Sequence, residues 1–344
     1  MKAILLILGI SLVIGLVFLG FKYWQIDRAR KAASRGYAIS ELRQLELGGI
    51  PQTILIEGNK KTDPIIVYLH GGPGSPVPYN VGSRGALPQI TDHNIMVLWD
   101  QYGSGINHGP IAPDMSSRAF VTMTIDLLEA LRAEFPDNHL TLFGVSWGSY
   151  LSAMVADERP DLIDDVVVYG QITHELFMNE ETFQALDEAD MKPKDRQAYE
   201  RIKAKAVYDE PDVEQVSNWL GKYTEGYFAK GSGLIDYLDD ILASVFSPDY
   251  RFQDVRALFS NDYRENQSLI NELIAADIRP VLERISRPYT IIQGEKDLVT
   301  STKEVERLME TTTNPNLRLI ILPNSAHMPS PESLDEILDF SNYR

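Results

Sequence analysis

The sequence predicts an α/β protein, with a mostly parallel β-sheet covered by helices on both faces. Short runs of apolar residues have the length and composition of strands that are buried on both faces. Segments with helical spacing of apolar residues alternate with these runs, most clearly over residues 117–135. Residues of chemical interest follow the runs directly, as expected at the carboxyl edge of an open α/β sheet. The runs are residues 65–69, 95–99, 140–143, 166–169, 289–293 and 317–322.

Composition excludes several classes of function. The chain of 344 residues contains no cysteine, so thiol catalysis, disulfides and cysteine-ligated metals are excluded. Its net charge of −17 argues against a nucleic-acid partner. The six histidines show no HExxH motif and no paired metal-ligand spacing, so we expect no metal and no cofactor.

The amino terminus predicts a membrane anchor. Residues 3–21 carry no charge, and a helix of that length would reach roughly 28 Å, close to the thickness of a bilayer's hydrocarbon core. Tyr23 and Trp24 suit the membrane interface, and no clean signal-peptidase site follows. A signal peptide or a buried helix is the alternative. Basic residues are more frequent after the run than before it, which predicts a cytoplasmic catalytic domain.

The remaining chain divides into three parts after the anchor and basic juxtamembrane segment, residues 1–36. Residues 37–170 and 281–344 carry the alternating pattern of the α/β core. Residues 171–280 are almost entirely helical in pattern, rich in aromatic and acidic residues, and interrupt the core. We expect this insertion to be a lid; an extra helical layer with no role in substrate binding is the alternative.

Residues 144–148, GVSWG, match the GxSxG motif directly after the apolar run 140–143. Small residues at the first and last positions allow a sharp turn from strand to helix, which holds the serine hydroxyl exposed as a nucleophile requires. The motif predicts that Ser146 is the nucleophile of a serine hydrolase.

Chain order predicts the partners of Ser146. A serine hydroxyl needs an imidazole as base and a carboxylate to orient it, and in α/β-hydrolases they follow in the order serine, acid, histidine. His327 follows the last apolar run and is favoured over His174, which opens the helical insertion. Asp297 follows the preceding run and is favoured over Glu295, which lies nearer the strand end.

Acyl transfer also requires donors for the oxyanion. The backbone N–H of Trp147, next to the nucleophile, is one expected donor. The glycine-rich loop after residues 65–69 is expected to supply the other from Gly71, and Gly72 also allows the backbone to approach the substrate.

Three motifs together resemble the prolyl iminopeptidase group of α/β-hydrolases: HGGPG at 70–74, the DQxG loop at 100–103, and SWGS at 146–149. The resemblance covers roughly residues 45–170 and 285–344. It implies the same roles for Ser146, Asp297, His327, Gly71 and Trp147, and removal of an amino-terminal residue, often proline, from peptides. This chain has Tyr102 and Val145 where the group usually has arginine and glycine.

The sequence therefore predicts an aminopeptidase that acts on short peptides. In this group lid carboxylates bind the substrate's protonated amine, and Glu175, Glu180 and Glu181 are the candidates at the start of the insertion. One alternative is an esterase or lipase-like enzyme for lipophilic esters, consistent with the anchor and an aromatic lid. Another is a non-catalytic hydrolase-fold protein that binds a ligand.

Overall fold

The computed structural model describes residues 2–33, 36–77, 79–229, 244–259 and 266–343. Over these residues the chain forms one eight-stranded sheet in the order β1-β2-β4-β3-β5-β6-β7-β8. Strands β3 to β8 pair in parallel, whereas β1 and β2 are antiparallel to their neighbours. The predicted α/β class with a mostly parallel sheet is confirmed. The strands are β1 Ile39–Leu47, β2 Ile50–Gly58, β3 Ile65–Leu69, β4 Ile95–Trp99, β5 Leu140–Val145, β6 Asp165–Tyr169, β7 Tyr289–Gly294 and β8 Leu317–Leu322.

Helices cover both faces of the sheet. Along β3, Val67 packs into one apolar core and its neighbours Ile66 and Tyr68 pack into a second on the opposite face. Burial on both faces explains why the central strands are continuously apolar. The helices of the described residues are α1 Lys2–Ala33, α2 Pro88–Thr91, α3 Ser117–Glu134, α4 Trp147–Glu158, α5 Glu180–Glu188, α6 Pro193–Lys203, α7 Glu210–Tyr223, α8 Phe252–Phe259, α9 Gln267–Ile274, α10 Arg279–Leu282, α11 Thr302–Thr311 and α12 Pro331–Ile337.

The antiparallel hairpin of β1 and β2 is an element that the apolar runs did not predict. Gly48 and Gly49 form its turn with φ angles of 61° and 74°, the left-handed conformation that a tight two-residue hairpin requires. One face of β1 is exposed, so its residues alternate between apolar and polar rather than forming a continuous run.

The helical segment between β6 and β7 corresponds to the predicted insertion. It contains α5 to α10, and residues 230–243 and 260–265 of it lie outside the described part. Strands β6 and β7 pair directly, from Val166 with Tyr289 to Tyr169 with Ile292. The chain therefore leaves the sheet at the carboxyl end of β6, builds the helical segment and returns at the amino end of β7, the neighbouring parallel strand. Its role as a lid stays a prediction.

Helix α1 is long and apolar. Within the described residues, its stretch Leu8–Gln25 is the one helix that by length and composition could cross a membrane, and none of that stretch is buried. The predicted span of residues 3–21 overlaps this stretch. A signal sequence would pass the same test, so the anchor stays a prediction.

Candidate active site

The turn between β5 and α4 holds Ser146 in a strained conformation. Its φ of 52° is rare for a residue with a side chain, and its N–H donates a 2.9 Å hydrogen bond to the carbonyl of Tyr169. Glycine is required on both sides of the turn, because a side chain at either position would clash with the backbone. A Cβ on Gly144 would lie 2.4 Å from the carbonyl oxygen of Gly148, and a Cβ on Gly148 would lie 2.0 Å from the carbonyl oxygen of Leu69. The strained turn therefore projects the hydroxyl from the carboxyl edge of the sheet.

His327 and Asp297 reach Ser146 from the loops after β8 and β7. The Nε2 of His327 lies 3.1 Å from the Oγ of Ser146, and its Nδ1 lies 2.9 Å from the Oδ2 of Asp297. Because a carboxylate only accepts, Nδ1 carries the proton and Nε2 is free to accept the serine proton. The structure thus brings the three predicted residues into one chain of hydrogen bonds.

Further hydrogen bonds fix the carboxylate of Asp297, which is 2% exposed. Its Oδ1 accepts from the backbone N–H groups of Val299 at 2.8 Å and Thr300 at 3.0 Å. Its Oδ2 also accepts from the hydroxyl of Thr300 at 2.7 Å and the amide of Gln293 at 3.1 Å. The sequence analysis missed Gln293 and Thr300, although both lie within four residues of Asp297.

The backbone of Gly71 lies against the turn that carries Ser146. A Cβ on Gly71 would sit 3.3 Å from the carbonyl oxygen of Val145 and 3.4 Å from the Cβ of Ser146, tighter than ordinary contact. Gly72 has a φ of 117°, and a Cβ there would lie 2.6 Å from the backbone nitrogen of Gly74. Trp147 is the first residue of α4, where N–H groups have no intrahelical acceptor. Both expected oxyanion donors therefore border Ser146.

A buried network that the sequence analysis missed joins the three motifs. The Nε2 of His70 accepts the backbone N–H of Gln101 at 2.9 Å, and the Nδ1–H of His70 faces the carbonyl of Gly71 at 2.9 Å. The side chain of Gln101 donates to the carbonyl of His70 at 3.2 Å and accepts from the indole of Trp147 at 2.8 Å. Burial lowers the pKa of His70 from 6.5 to about 4, so the imidazole is neutral near pH 7.

Asp100 connects the DQxG loop to the helical segment. Its carboxylate is fully buried and accepts backbone N–H groups from Val81 and Ile106, each at 2.9 Å, and the hydroxyl of Tyr250. Burial raises the pKa of Asp100 to about 6. Gly105 is required beside it, because a Cβ there would lie 2.0 Å from Oδ2 of Asp100.

A cavity of about 350 Å³ opens beside Ser146 and His327. Its walls are formed by the glycine loop, by strands β3, β5 and β6, by helix α12 and by the helical segment, including α8. Among the described residues that line it, none is acidic. The apolar and aromatic lining residues include Tyr68, Val77, Tyr79, Phe143, Val145, Tyr169, Leu176, Phe177, Tyr227, Phe228, Leu258, Phe259, Met328, Leu334 and Ile337.

The structure does not bring the three glutamates proposed for amine binding to this cavity. Glu175 and Glu180 are exposed. Glu181 accepts from the guanidinium of Arg307 at 2.6 Å and from the hydroxyl of Ser301 at 3.0 Å, and these bonds lower its pKa. Its charge is therefore already compensated within the protein.

Glu175 belongs to a small polar group instead. Ligand-type atoms of His174, Glu175 and Glu304 lie within 4.8 Å of one another. The Nε2 of His174 lies 3.2 Å from the Oε2 of Glu304, and Glu304 also pairs with Arg307. These contacts account for the positions of the His174 and Glu304 side chains.

Known proteins resemble the chain along most of its length. A probable aminopeptidase of Bacillus subtilis is 23% identical over 302 residues, covering 86% of this chain and 93% of that protein. A putative proline iminopeptidase of Mycoplasma genitalium is 24% identical over 80% of this chain and 87% of its own. The crystal structure of proline iminopeptidase from Mycobacterium smegmatis superposes with a TM-score of 0.59 at 19% identity, covering 88% of this chain and 96% of the other.

The family model for the alpha/beta hydrolase fold matches residues 64–334, well over half of the chain. The strand order, the parallel register and the serine turn after β5 described above agree with that match. This protein is a member of the α/β-hydrolase family.

Proposed function

We propose that this protein is a serine hydrolase that cleaves an amide or ester bond through an acyl-enzyme on Ser146. The observation that carries the proposal is the hydrogen-bond chain from Ser146 through His327 to the buried Asp297. No metal or organic cofactor is needed for this chemistry, because the imidazole and carboxylate activate the nucleophile.

In the proposed mechanism the Oγ of Ser146 attacks the carbonyl carbon while Nε2 of His327 takes its proton. Asp297 stabilises the imidazolium that forms and holds Nδ1–H toward itself. The backbone N–H groups of Trp147 and Gly71 donate to the oxyanion, each contributing about 3 kcal/mol in the transition state. His327 then protonates the leaving group, and a water molecule activated by the same imidazole releases the acyl group.

The first candidate substrate is a short peptide with a free amino terminus. The names of the relatives and the three motifs around Ser146, His70 and Gln101 support it. Such a substrate carries a protonated amine beside the acyl carbon, and the enzyme would have to pair it with a carboxylate. Glu175, Glu180 and Glu181 were the sequence-based candidates for that carboxylate.

The second candidate is a lipophilic ester, which the cavity favours. The aromatic and aliphatic residues that surround Ser146 would bury an uncharged acyl chain, and burying a CH₂ group contributes about 0.8 kcal/mol. A protonated amine would find no acidic side chain among the described lining residues, and burying an unpaired charge is costly.

One set of assays tests both the mechanism and the leaving group. The full chain in detergent is assayed against proline and other amino-acid arylamides and against p-nitrophenyl esters of increasing chain length. Ser146→Ala is expected to abolish all turnover, whereas Ser116→Ala, a serine just before α3, retains it. Activity that survives in Ser146→Ala contradicts the mechanism. Ester turnover without arylamide turnover contradicts the aminopeptidase.

We also infer that residues 3–21 anchor the enzyme in a membrane, with the catalytic domain on the cytoplasmic side. The length of α1 and the basic residues after the apolar run support this arrangement. Reporter fusions after residue 40 test the orientation. A periplasmic or extracellular signal overturns the cytoplasmic assignment, and loss of the first residues by cleavage overturns the anchor.

A further inference from the structure

Residues 244–250, which we name the bridging segment, contact the apolar helix α1. The rings of Phe18 and Phe21 pack against Phe246 with centroid distances of 5.7 and 4.3 Å. At 41% and 38%, they are the least exposed of the large apolar side chains described in α1. The amine of Lys22 donates to the carbonyl of Ser247. Within the described residues, these contacts join the helix to the catalytic domain at Phe246 and Ser247.

The other side of the bridging segment is held by the α/β core. The amide of Asn80 donates to the hydroxyl of Ser244 at 2.8 Å. The guanidinium of Arg84 pairs with Asp249 at 2.7 Å, and its Nη1 also donates to the carbonyl of Ser40 at 2.7 Å. Tyr250 donates to the buried Asp100. These bonds join the bridging segment to the core. Because the segment also contacts α1, it sets the position of the core relative to that helix.

The contact also fixes how far the bridging segment lies from the centre of a bilayer. If the charge-free run ending at Phe21 spans the hydrocarbon core, Lys22 lies at its boundary. Tyr23 and Trp24 follow, and the guanidinium of Arg28 lies 5.5 Å from the ring of Trp24. Aromatic and basic residues of this kind occupy the headgroup region. Ser247, bonded to Lys22, is therefore at the same level.

Helix α8 continues from the bridging segment toward the cavity. Phe252, Arg256 and Phe259 have the spacing i, i+4, i+7 and lie on one face of the helix. All three are exposed, Phe252 at 85% and Phe259 at 57%. Phe259 lines the cavity that contains Ser146. Seven residues at 1.5 Å each separate Phe252 from this cavity wall, a distance of about 10 Å.

We propose that the bridging segment holds the catalytic domain in one orientation on the membrane, with the exposed face of α8 in the lipid headgroup region and the cavity mouth at the lipid–water interface. The partner is the lipid bilayer itself. Aromatic and arginine side chains are both common in the interfacial region of a bilayer. Substrate would reach Ser146 from the interface. The inference holds for both amide and ester substrates, because it concerns only the place at which the cavity opens.

Depth-dependent quenching tests this orientation without any assay of turnover. The chain has no cysteine, so Phe252→Cys and Val207→Cys each give one site for an environment-sensitive fluorophore. Val207 is the matched control, since it is 82% exposed and lies in a different part of the chain, between α6 and α7. In phosphatidylcholine vesicles with doxyl-labelled lipid, we expect about threefold stronger quenching at position 252 than at 207. Equal quenching overturns the proposal, as does full-length protein that does not bind the vesicles.

A second pair of variants tests the bridging segment itself. The double substitution Phe18→Ser with Phe21→Ser removes both ring contacts with Phe246 from the helix side and leaves the sequence of the catalytic domain unchanged. Leu12→Ser with Leu16→Ser is its control on the same helix, with side chains that are 65% and 59% exposed. We expect the phenylalanine substitutions to reduce quenching at position 252 to the level at 207, whereas the leucine substitutions do not. Quenching at 252 that persists without both phenylalanines overturns the role of the bridging segment. Hydrolysis of a short, soluble ester reports separately whether the proposed chemistry holds.

Discussion

The indole N–H of Trp147 donates a 2.8 Å hydrogen bond to the side-chain oxygen of Gln101. Trp147 follows Ser146, the proposed nucleophile, and its backbone N–H is one proposed oxyanion donor. The backbone N–H of Gln101 is bonded in turn to His70, which precedes Gly71, the other proposed donor. One glutamine after β4 therefore positions both sides of the proposed oxyanion site, which gives the DQxG motif a structural role that does not require contact with substrate.

Replacing Gln101 tests this positioning role. Gln101→Ala leaves the indole of Trp147 and the carbonyl of His70 without their buried partner, so we expect a loss of about 1–3 kcal/mol in the free energy of unfolding. Displaced oxyanion donors should also lower kcat by about tenfold or more. Steady-state kinetics and chemical denaturation measure the two effects. Gln184→Ala, an exposed glutamine on α5, is the control, and a Gln101→Ala enzyme with unchanged kcat contradicts the role.

Asp297→Asn tests the proposed acid. An asparagine can keep the bonds to the backbone of Val299 and Thr300, but its NH₂ group then faces Nδ1 of His327. The imidazole is expected to adopt the wrong tautomer, and kcat should fall by about 10⁴-fold. Glu295→Gln is the matched control, because Glu295 is the nearby acidic alternative and is exposed. Equal losses in both variants would point to a different acid.

The burial of Asp100 predicts a dependence of stability on pH. Its pKa is 3.8 ordinarily and about 6 in the folded chain, so between pH 4 and 6 the folded state holds a proton that the unfolded state has lost. This group's contribution to stability therefore falls as pH rises through that window, by roughly 3 kcal/mol in total.

Thermal unfolding of wild type and Asp100→Asn measures that contribution. The asparagine cannot ionise, so the Tm of the wild type minus that of the variant should fall from pH 4 to 6 and change little above pH 7. The variant is also expected to be less stable, because its NH₂ group faces a buried donor. Asp92→Asn, an exposed carboxylate after α2, controls for the change in charge. A Tm difference that rises across the window contradicts the sign.

The ion pair between Glu181 and Arg307 predicts a small effect on substrate binding. Glu181 is engaged with Arg307 and Ser301 and does not line the cavity. We expect Glu181→Gln to change KM for an amino-acid arylamide by less than about twofold and stability by at most about 1 kcal/mol. Leu334→Trp, which narrows the cavity, should instead raise KM for long acyl esters. A large rise in the KM of Glu181→Gln for arylamides would instead indicate that Glu181 binds the amine of the substrate.

The positions of Ser146, Asp297 and His327 could be predicted because each follows a short apolar run. Parallel strands end at one edge of the sheet, so residues that follow different strands meet there without any further information. The hydrogen-bond chain among the three follows from that topology. Its catalytic role stays a prediction until the variants are assayed.

The contacts that support the site could not be predicted. The bond between Tyr250 and Asp100 joins residues 150 positions apart, and the one between Trp147 and Gln101 joins residues 46 apart. Neither has a local pattern, because a tertiary contact depends on how loops fold over the sheet. The hairpin of β1 and β2 is different. Gly48 and Gly49 between alternating residues were a readable turn signal, which a search for continuous apolar runs passes over.

The direct pairing of β6 with β7 has a consequence for how this protein can change. The two strands are parallel neighbours, so residues 171–288 leave at the carboxyl end of β6 and need only reach the amino end of β7 beside it. The entropy of closing such a loop grows slowly with its length. One block of helices can therefore be exchanged for another, longer or shorter, while Ser146, Asp297 and His327 keep their places. Grafting a relative's helices between these two strands is a modular way to give the same chemistry a new substrate.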